Sequence, residues 1–174
     1  MRVLLLGSIV SLVAACGTTD VAGRSFPAPS IGPDKTVSPA VSQTRLALVQ
    51  ALGQHNLVLS DTQAPVRPPE APLLTDAPRA VYQVLLPKDP SRGFVVVYEF
   101  PDPDRAAAAA MQEQAYLATG PARVQTPPGT VSIIRGIGST VVFYAWLPDA
   151  SLDPSAPGIQ SALETLGVGY PVPS

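Results

Sequence analysis

Few side chains in this chain of 174 residues can do chemistry, and their spacing decides how each is read. His55 is the only histidine. A histidine-dependent triad would need a nucleophile elbow of the Gly-x-Ser-x-Gly type, which does not occur. His55 sits near the predicted C-terminus of a helix, where an imidazolium suits the helix dipole. Asp102 and Asp104 directly precede a run of alanines, so they read as helix capping. No further acids follow them at calcium-loop spacing, and no metal site is expected. Gly136-x-Gly138 lies between two strand-like runs. A phosphate cradle needs a helix N-terminus at that point, so the motif reads as a hairpin turn. Glu99 is the one acid inside an otherwise apolar strand. Together with Asp149 or Asp153 it is the pair that a hydrolase working through carboxylates would use. The alternative is an edge-strand position, with Gln83 or Arg79 near enough to pair. No catalytic residue and no cofactor follow from these groups.

The aromatic residues Tyr82, Phe94, Tyr98, Phe100, Tyr144 and Trp146 form the more informative set. Core packing is the default for such residues. On a sheet face that is partly open, the same six would make a binding surface, because exposed apolar patches mark contacts.

Cys16 is the only cysteine. It follows a positive start at Arg2, an apolar run from Val3 to Val13 and the small residues Ala14 and Ala15. The run is shorter than the ~20 residues a helix needs to cross hydrocarbon, so it reads as a cleavable signal. Val13-Ala14-Ala15-Cys16 resembles the lipobox of bacterial lipoproteins. That resemblance covers only the N-terminal signal and implies cleavage before Cys16, a diacylglycerol on its thiol and acylation, typically palmitate, of the new amino terminus. Two or three acyl chains, at about 0.8 kcal/mol per buried methylene, hold a protein on a bilayer where one chain does so only marginally. Gly17 stands where inner-membrane lipoproteins of two-membrane cells carry Asp, which implies the outer membrane if there are two. The expected address is the cell envelope, with the membrane as a partner through Cys16.

Composition bounds the rest. Charged residues make up 14% of the chain, against an ordinary ~25%, and formal net charge is −2. No basic stripe appears, so nucleic acid is not an expected partner. With Cys16 acylated no thiol remains, and packing alone must hold the fold. The expected organisation is a signal at 1–15, lipidated Cys16 with a proline-rich tether at 16–39, and a single domain at 40–174. Within the domain, 60–79 is a second proline-rich stretch, with Val66, Leu73 and Leu74 as its anchors.

Several elements must position these residues. Ser38-Pro39 predicts a helix start, with Leu46, Val49 and Leu52 at helical spacing. Leu57 to Leu59 reads as a short strand. Ala80 to Leu86 and Phe94 to Phe100 predict a hairpin around a polar turn. Asp102-Pro103-Asp104 opens a helix that Gly120-Pro121 stops. Val131 to Arg135 and Thr140 to Trp146 predict a second hairpin, and a last helix runs from Ser155 or Pro157 to Leu166. Val95 to Phe100 aligns with Val141 to Trp146, which reads as a duplicated ββα unit. Centring the turns places Tyr82 opposite Tyr98, and puts Val141 and Phe143 on one face with Val131 and Ile133. The expected fold class is α+β in two layers, an antiparallel sheet from two ββα units with three helices mainly on one face. The expected function is a lipid-anchored envelope protein whose domain binds a protein, peptide or glycan through the aromatic face. An envelope hydrolase and a structural scaffold are the alternatives.

Overall fold

The computed structural model describes residues 37–172. The predicted signal, Cys16 and the tether up to residue 36 lie outside the described residues. Helix α1 (Pro39–Gly53) starts where Ser38 Oγ accepts the Val41 N–H at 3.2 Å. Strand β1 (Leu59–Asp61) and a one-turn helix α2 (Pro72–Thr75) follow. Next come strands β2 (Arg79–Val84) and β3 (Phe94–Glu99). Helix α3 (Pro103–Thr119) is capped by Asp102, whose Oδ1 accepts the Arg105 N–H at 2.8 Å. After a short α4 (Pro121–Gln125) come β4 (Val131–Ile137) and β5 (Thr140–Trp146). Helix α5 (Ala156–Glu164) leads to β6 (Val168–Gly169), which the sequence pattern does not announce.

The strands form one sheet in the order β1-β2-β3-β5-β4-β6, and every neighbouring pair is antiparallel. The fold is α+β, built from two consecutive ββα units as the sequence predicts. Its helices are shared between the sheet faces instead of lying mainly on one. Helices α1 and α5 bury Leu48, Leu52, Ile159 and Leu163 against Val84, Val95, Val97 and Val142. Helix α3, flanked by α2 and α4, lies on Val96, Tyr98, Ile134, Val141 and Phe143. Strands apolar on both faces need cover on both, and this arrangement supplies it. Ala106, Ala109 and Ala110 are essentially inaccessible, so α3 meets the sheet through small side chains. In α1 the buried stripe is Val41, Thr44, Leu48, Ala51 and Leu52. Leu46, expected inside, is 58% exposed and Val49 is exposed too. A helix apolar on several sides offers more than one stripe, and the sheet selects between them.

Both hairpin registers differ from the centred turns. Tyr82 opposes Val95, and Arg79 opposes Tyr98. The pairing is displaced by an odd number of residues, which moves the facing strand to the other side of the sheet. The cause lies in the β2–β3 connection. Leu85 and Leu86 leave the β2–β3 ladder, the Leu85 N–H bonding to Val58 O of the β1 side and Leu86 entering the core. In the second hairpin Ile137 opposes Thr140 across a tight Gly138-Ser139 turn, so Val131 opposes Trp146 and Ile133 opposes Tyr144. Val141 and Phe143 are therefore on the face opposite Val131 and Ile133.

The two ββα units are not symmetric copies. Strand order 2-3-5-4 with β3 antiparallel to β5 demands a two-fold axis normal to the sheet, and such an axis preserves faces. Under the sequence alignment Val96 corresponds to Val142 and Tyr98 to Tyr144. Val96 and Tyr98 lie in the α3-side core, whereas Val142 and Tyr144 lie in the α1/α5-side core. The likeness of the two runs is that of buried β-branched and aromatic strands.

Candidate functional site

Alternation divides the six aromatics between the faces. Tyr82 and Tyr144 are buried in the α1/α5-side core, and Trp146 packs against it half-buried. Tyr98 is fully buried on the α3 side, where Phe100 also packs. The expected single aromatic surface is therefore not formed. Tyr98 donates its hydroxyl to Glu70 Oε1 at 2.7 Å, and burial holds its phenol above the ordinary range. The Tyr82 ring has the Arg45 guanidinium 5.9 Å from its centre. Phe100 borders a separate shallow groove with Glu99, Asp102 and Arg105, at the end of β3 away from Phe94.

Three of the six do come together. Phe94, Tyr144 and Trp146 line a cleft of about 160 Å³ at the end of the sheet where β3 begins and β5 ends. Leu86, Leu147, Val66, Pro68, Val96 and Phe143 add to its apolar wall, and Arg92 is the one charged lining residue among the described residues. The Trp146 indole N–H is held by Gln160 Oε1 at 3.3 Å, which fixes the ring. Arg92 is itself tied to Asp89 at 3.2 Å. Burial raises the Tyr144 phenol, and Arg92 opposes the shift. A space of this size suits one ring-sized apolar group, since ~150 Å³ holds a benzene. It is below the ~300 Å³ at which drug-sized or sugar-chain ligands fit.

The carboxylate pair required of a hydrolase is not assembled. Glu99 is on the central strand β3, opposite Thr140, so it is no edge-strand acid. Arg79 binds Glu70, and Gln83 donates to the carbonyls of Pro90 and Arg92, so neither expected partner serves Glu99. Asp153 accepts the backbone N–H groups of Lys88 at 2.9 Å and Ser155 at 2.8 Å, which hold its carboxyl below the usual range. Lys88 precedes the start of β3 and Glu99 ends it. At ~3.3 Å per residue that places Glu99 and Asp153 more than about 15 Å apart along the strand. Asp149 is exposed in the 3-10 turn Pro148–Ala150, and His55 is exposed beyond α1. Among the described residues no group of three His, Cys, Asp or Glu is placed to hold a metal, and no helix is long and apolar enough to cross a membrane.

The residues that sequence reasoning missed are two acids under the proline-rich segment. Glu70 has a side chain only 4% exposed and binds Arg79 at 2.6 Å, Arg67 at 3.5 Å and the Tyr98 hydroxyl. Glu113 on α3 is 0% exposed. Its Oε2 accepts the Ala71 N–H at 2.6 Å, while its Oε1 is buried with no partner among the described residues. Burial pushes its carboxyl up to about 7, the Ala71 N–H opposes this, and Glu70 adds to it. A signal for Glu113 exists in the sequence. It falls at helical spacing within the stripe Ala106, Ala109, Ala110, Leu117. Of the expected anchors of residues 60–79, Val66 and Leu74 join the α3-side core. Leu73 is exposed and is attached through its backbone N–H to Gln112 Oε1 at 3.0 Å.

Compared with protein-family models, curated proteins and solved structures, the chain matches none.

Proposed function

We propose that this chain is a lipid-anchored protein of the cell envelope, fastened through Cys16, whose domain is a binding module. In a cell with two membranes it resides on the outer one. The cleft receives a single apolar or aromatic side chain of a partner envelope protein. The convergence of Phe94, Tyr144 and Trp146 on a ring-sized space is the observation that carries this reading. Its volume favours one protein side chain over a glycan. The separation of Glu99 from Asp153 speaks against a carboxylate hydrolase built on that pair.

Two measurements test it. Mass spectrometry of the processed N-terminus should find Cys16 diacylglycerol-modified and N-acylated, and a free thiol would refute the anchor. A photo-reactive benzoylphenylalanine at Ala145, exposed at the cleft, should give one discrete protein adduct in intact cells. Phe94→Ala should abolish that adduct while far-UV dichroism is unchanged. The same probe at Val124, 91% exposed on α4, should give none. Adducts of equal yield with and without Phe94 would refute the cleft.

A further inference from the structure

The proline-rich stretch between β1 and α2 is both a wall of the cleft and a strap across the molecule. Val66 and Pro68 line the cleft. Two residues further on, the strap is fastened at Glu70, to Arg79 and Tyr98, and at Ala71, whose N–H goes to Glu113. Leu73 adds a contact through Gln112. The two fastenings differ in charge. Glu70 is compensated by Arg79 and Arg67. Among the described residues, Glu113 has one neutral N–H, an orphaned second oxygen and no cation.

The other elements packed on α3 bring no compensation. Asp76, the C-cap of α2, is exposed. On α4, Arg123 donates to Ala118 O. On β4, Arg135 is turned to the carbonyls of Leu166 and Gly167. Strand β5 contributes Val141 and Phe143 to this core, β3 contributes Tyr98, and the C-terminal segment contributes Tyr170. Glu113 thus meets a second carboxylate, Glu70, and the Tyr98 phenol across an apolar core.

We infer that Glu113 is a proton-dependent clasp: protonated, it holds the strap closed over the cleft wall; ionised, it lets the strap lift from α3 and opens the wall at Val66 and Pro68. As a regulation of binding, this rests on the cleft being the binding site. A neutral carboxyl keeps its acceptor for Ala71 and leaves one buried O–H at Oε1 without a partner, a far smaller cost than a buried charge. A carboxylate in the same place is a buried charge facing Glu70, and burying an uncompensated charge is among the costliest arrangements in a core. Hydration restores the balance only if the strap moves. The direction of the Glu113 shift, upward into the neutral range, agrees with this geometry.

The experiment follows two reporters through pH 5.5 to 8.5 in the signal-free domain from Thr36, the unit that is compact by itself. The Ala71 amide resonance reports the clasp, and the emission of Trp146, the only tryptophan, reports the cleft. Both should move together with one midpoint near neutrality, the emission shifting to the red. Glu113→Gln should flatten both curves. His55→Gln should leave them unchanged, since His55 lies beyond α1 on the opposite face of the sheet. An Ala71 amide that stays fixed across the range in the parent protein, which needs no variant, would overturn the clasp, as would the same transition in Glu113→Gln. A midpoint in Ala71 without cross-linking at Ala145 would sink the binding role and leave the clasp standing. Cross-linking at Ala145 that is indifferent to pH while the Ala71 amide moves would keep the binding role and refute its regulation by the clasp.

Discussion

Replacing Glu113 by Gln should stabilise the domain at high pH and not at low pH. The carboxyl is raised from an ordinary 4.5 to about 7. The native state therefore binds this proton more tightly than the unfolded chain does. Below the unfolded value both states hold the proton, and the residue has no pH-dependent effect. Between the two values the unfolded state has released a proton that the native state retains, so stability falls as pH rises. Above the folded value the whole cost is present. At about 1.4 kcal/mol per pH unit, the loss between about pH 5 and about pH 8.5 is roughly 2 to 3 kcal/mol. Gln keeps an acceptor for the Ala71 N–H but buries an amide without a full set of partners, at about 1 kcal/mol at any pH. The difference between variant and parent should thus change sign, from slightly destabilised near pH 5 to about 2 kcal/mol more stable near pH 8.5. Urea unfolding followed by far-UV dichroism at both pH values measures it. A difference that does not vary with pH would refute the placement of Glu113 in a dry core.

Two further predictions separate causes that look alike. Gly138 and Gly167 both have positive φ, +54° and +45°. A Cβ at Gly138 meets nothing within 4 Å, whereas at Gly167 it collides with the Gly136 carbonyl oxygen and presses on Ile137. Gly138→Ala should cost about 1 kcal/mol for the left-handed backbone alone, and Gly167→Ala about 1 to 2 kcal/mol more. Equal costs in thermal unfolding would refute the steric part. Asp153 is lowered by the Lys88 and Ser155 N–H groups, so it contributes stability above the ordinary carboxylate value that is lost as pH falls through its lowered one. Asp153→Asn should flatten the acid limb of the stability curve, and an unchanged acid midpoint would refute the assignment.

What was legible in the sequence was local. Ser38 and Asp102 announce their helices because a cap is a contact three residues long. The β-branched runs at 94–99 and 140–146 announce strands, and the Gly138-Ser139 turn announces a hairpin. Register was not legible, because it depends on where Leu85 and Leu86 leave the ladder. That is set by β1 and the core, not by the centre of a polar loop. An odd slip inverts every face, and so it scattered an expected aromatic surface into two cores and left a cleft that only three of the six, Phe94, Tyr144 and Trp146, line. The acids Glu70 and Glu113 are hidden in the sequence for a different reason. Glu70 stands among prolines with no periodicity to place it, and Glu113, although its spacing puts it on the buried alanine stripe, is a charged residue between Gln112 and Gln114, where polarity argues against burial.

The prolines explain why the strap depends on side chains at all. Pro65, Pro68, Pro69 and Pro72 have no N–H, so this stretch cannot add to the sheet as a strand. Its remaining donors still need acceptors where they are buried. Ala71 is inaccessible, and the acceptor it finds is Glu113; Leu73 finds Gln112 one residue earlier on the same helix. A backbone ladder would have held the segment independently of pH. An attachment through a carboxylate cannot, because the same oxygen that satisfies the Ala71 N–H belongs to a group that burial makes reluctant to ionise. The strap is consequently firm only while Glu113 is neutral, and the wall of the cleft inherits that condition from a residue it never touches.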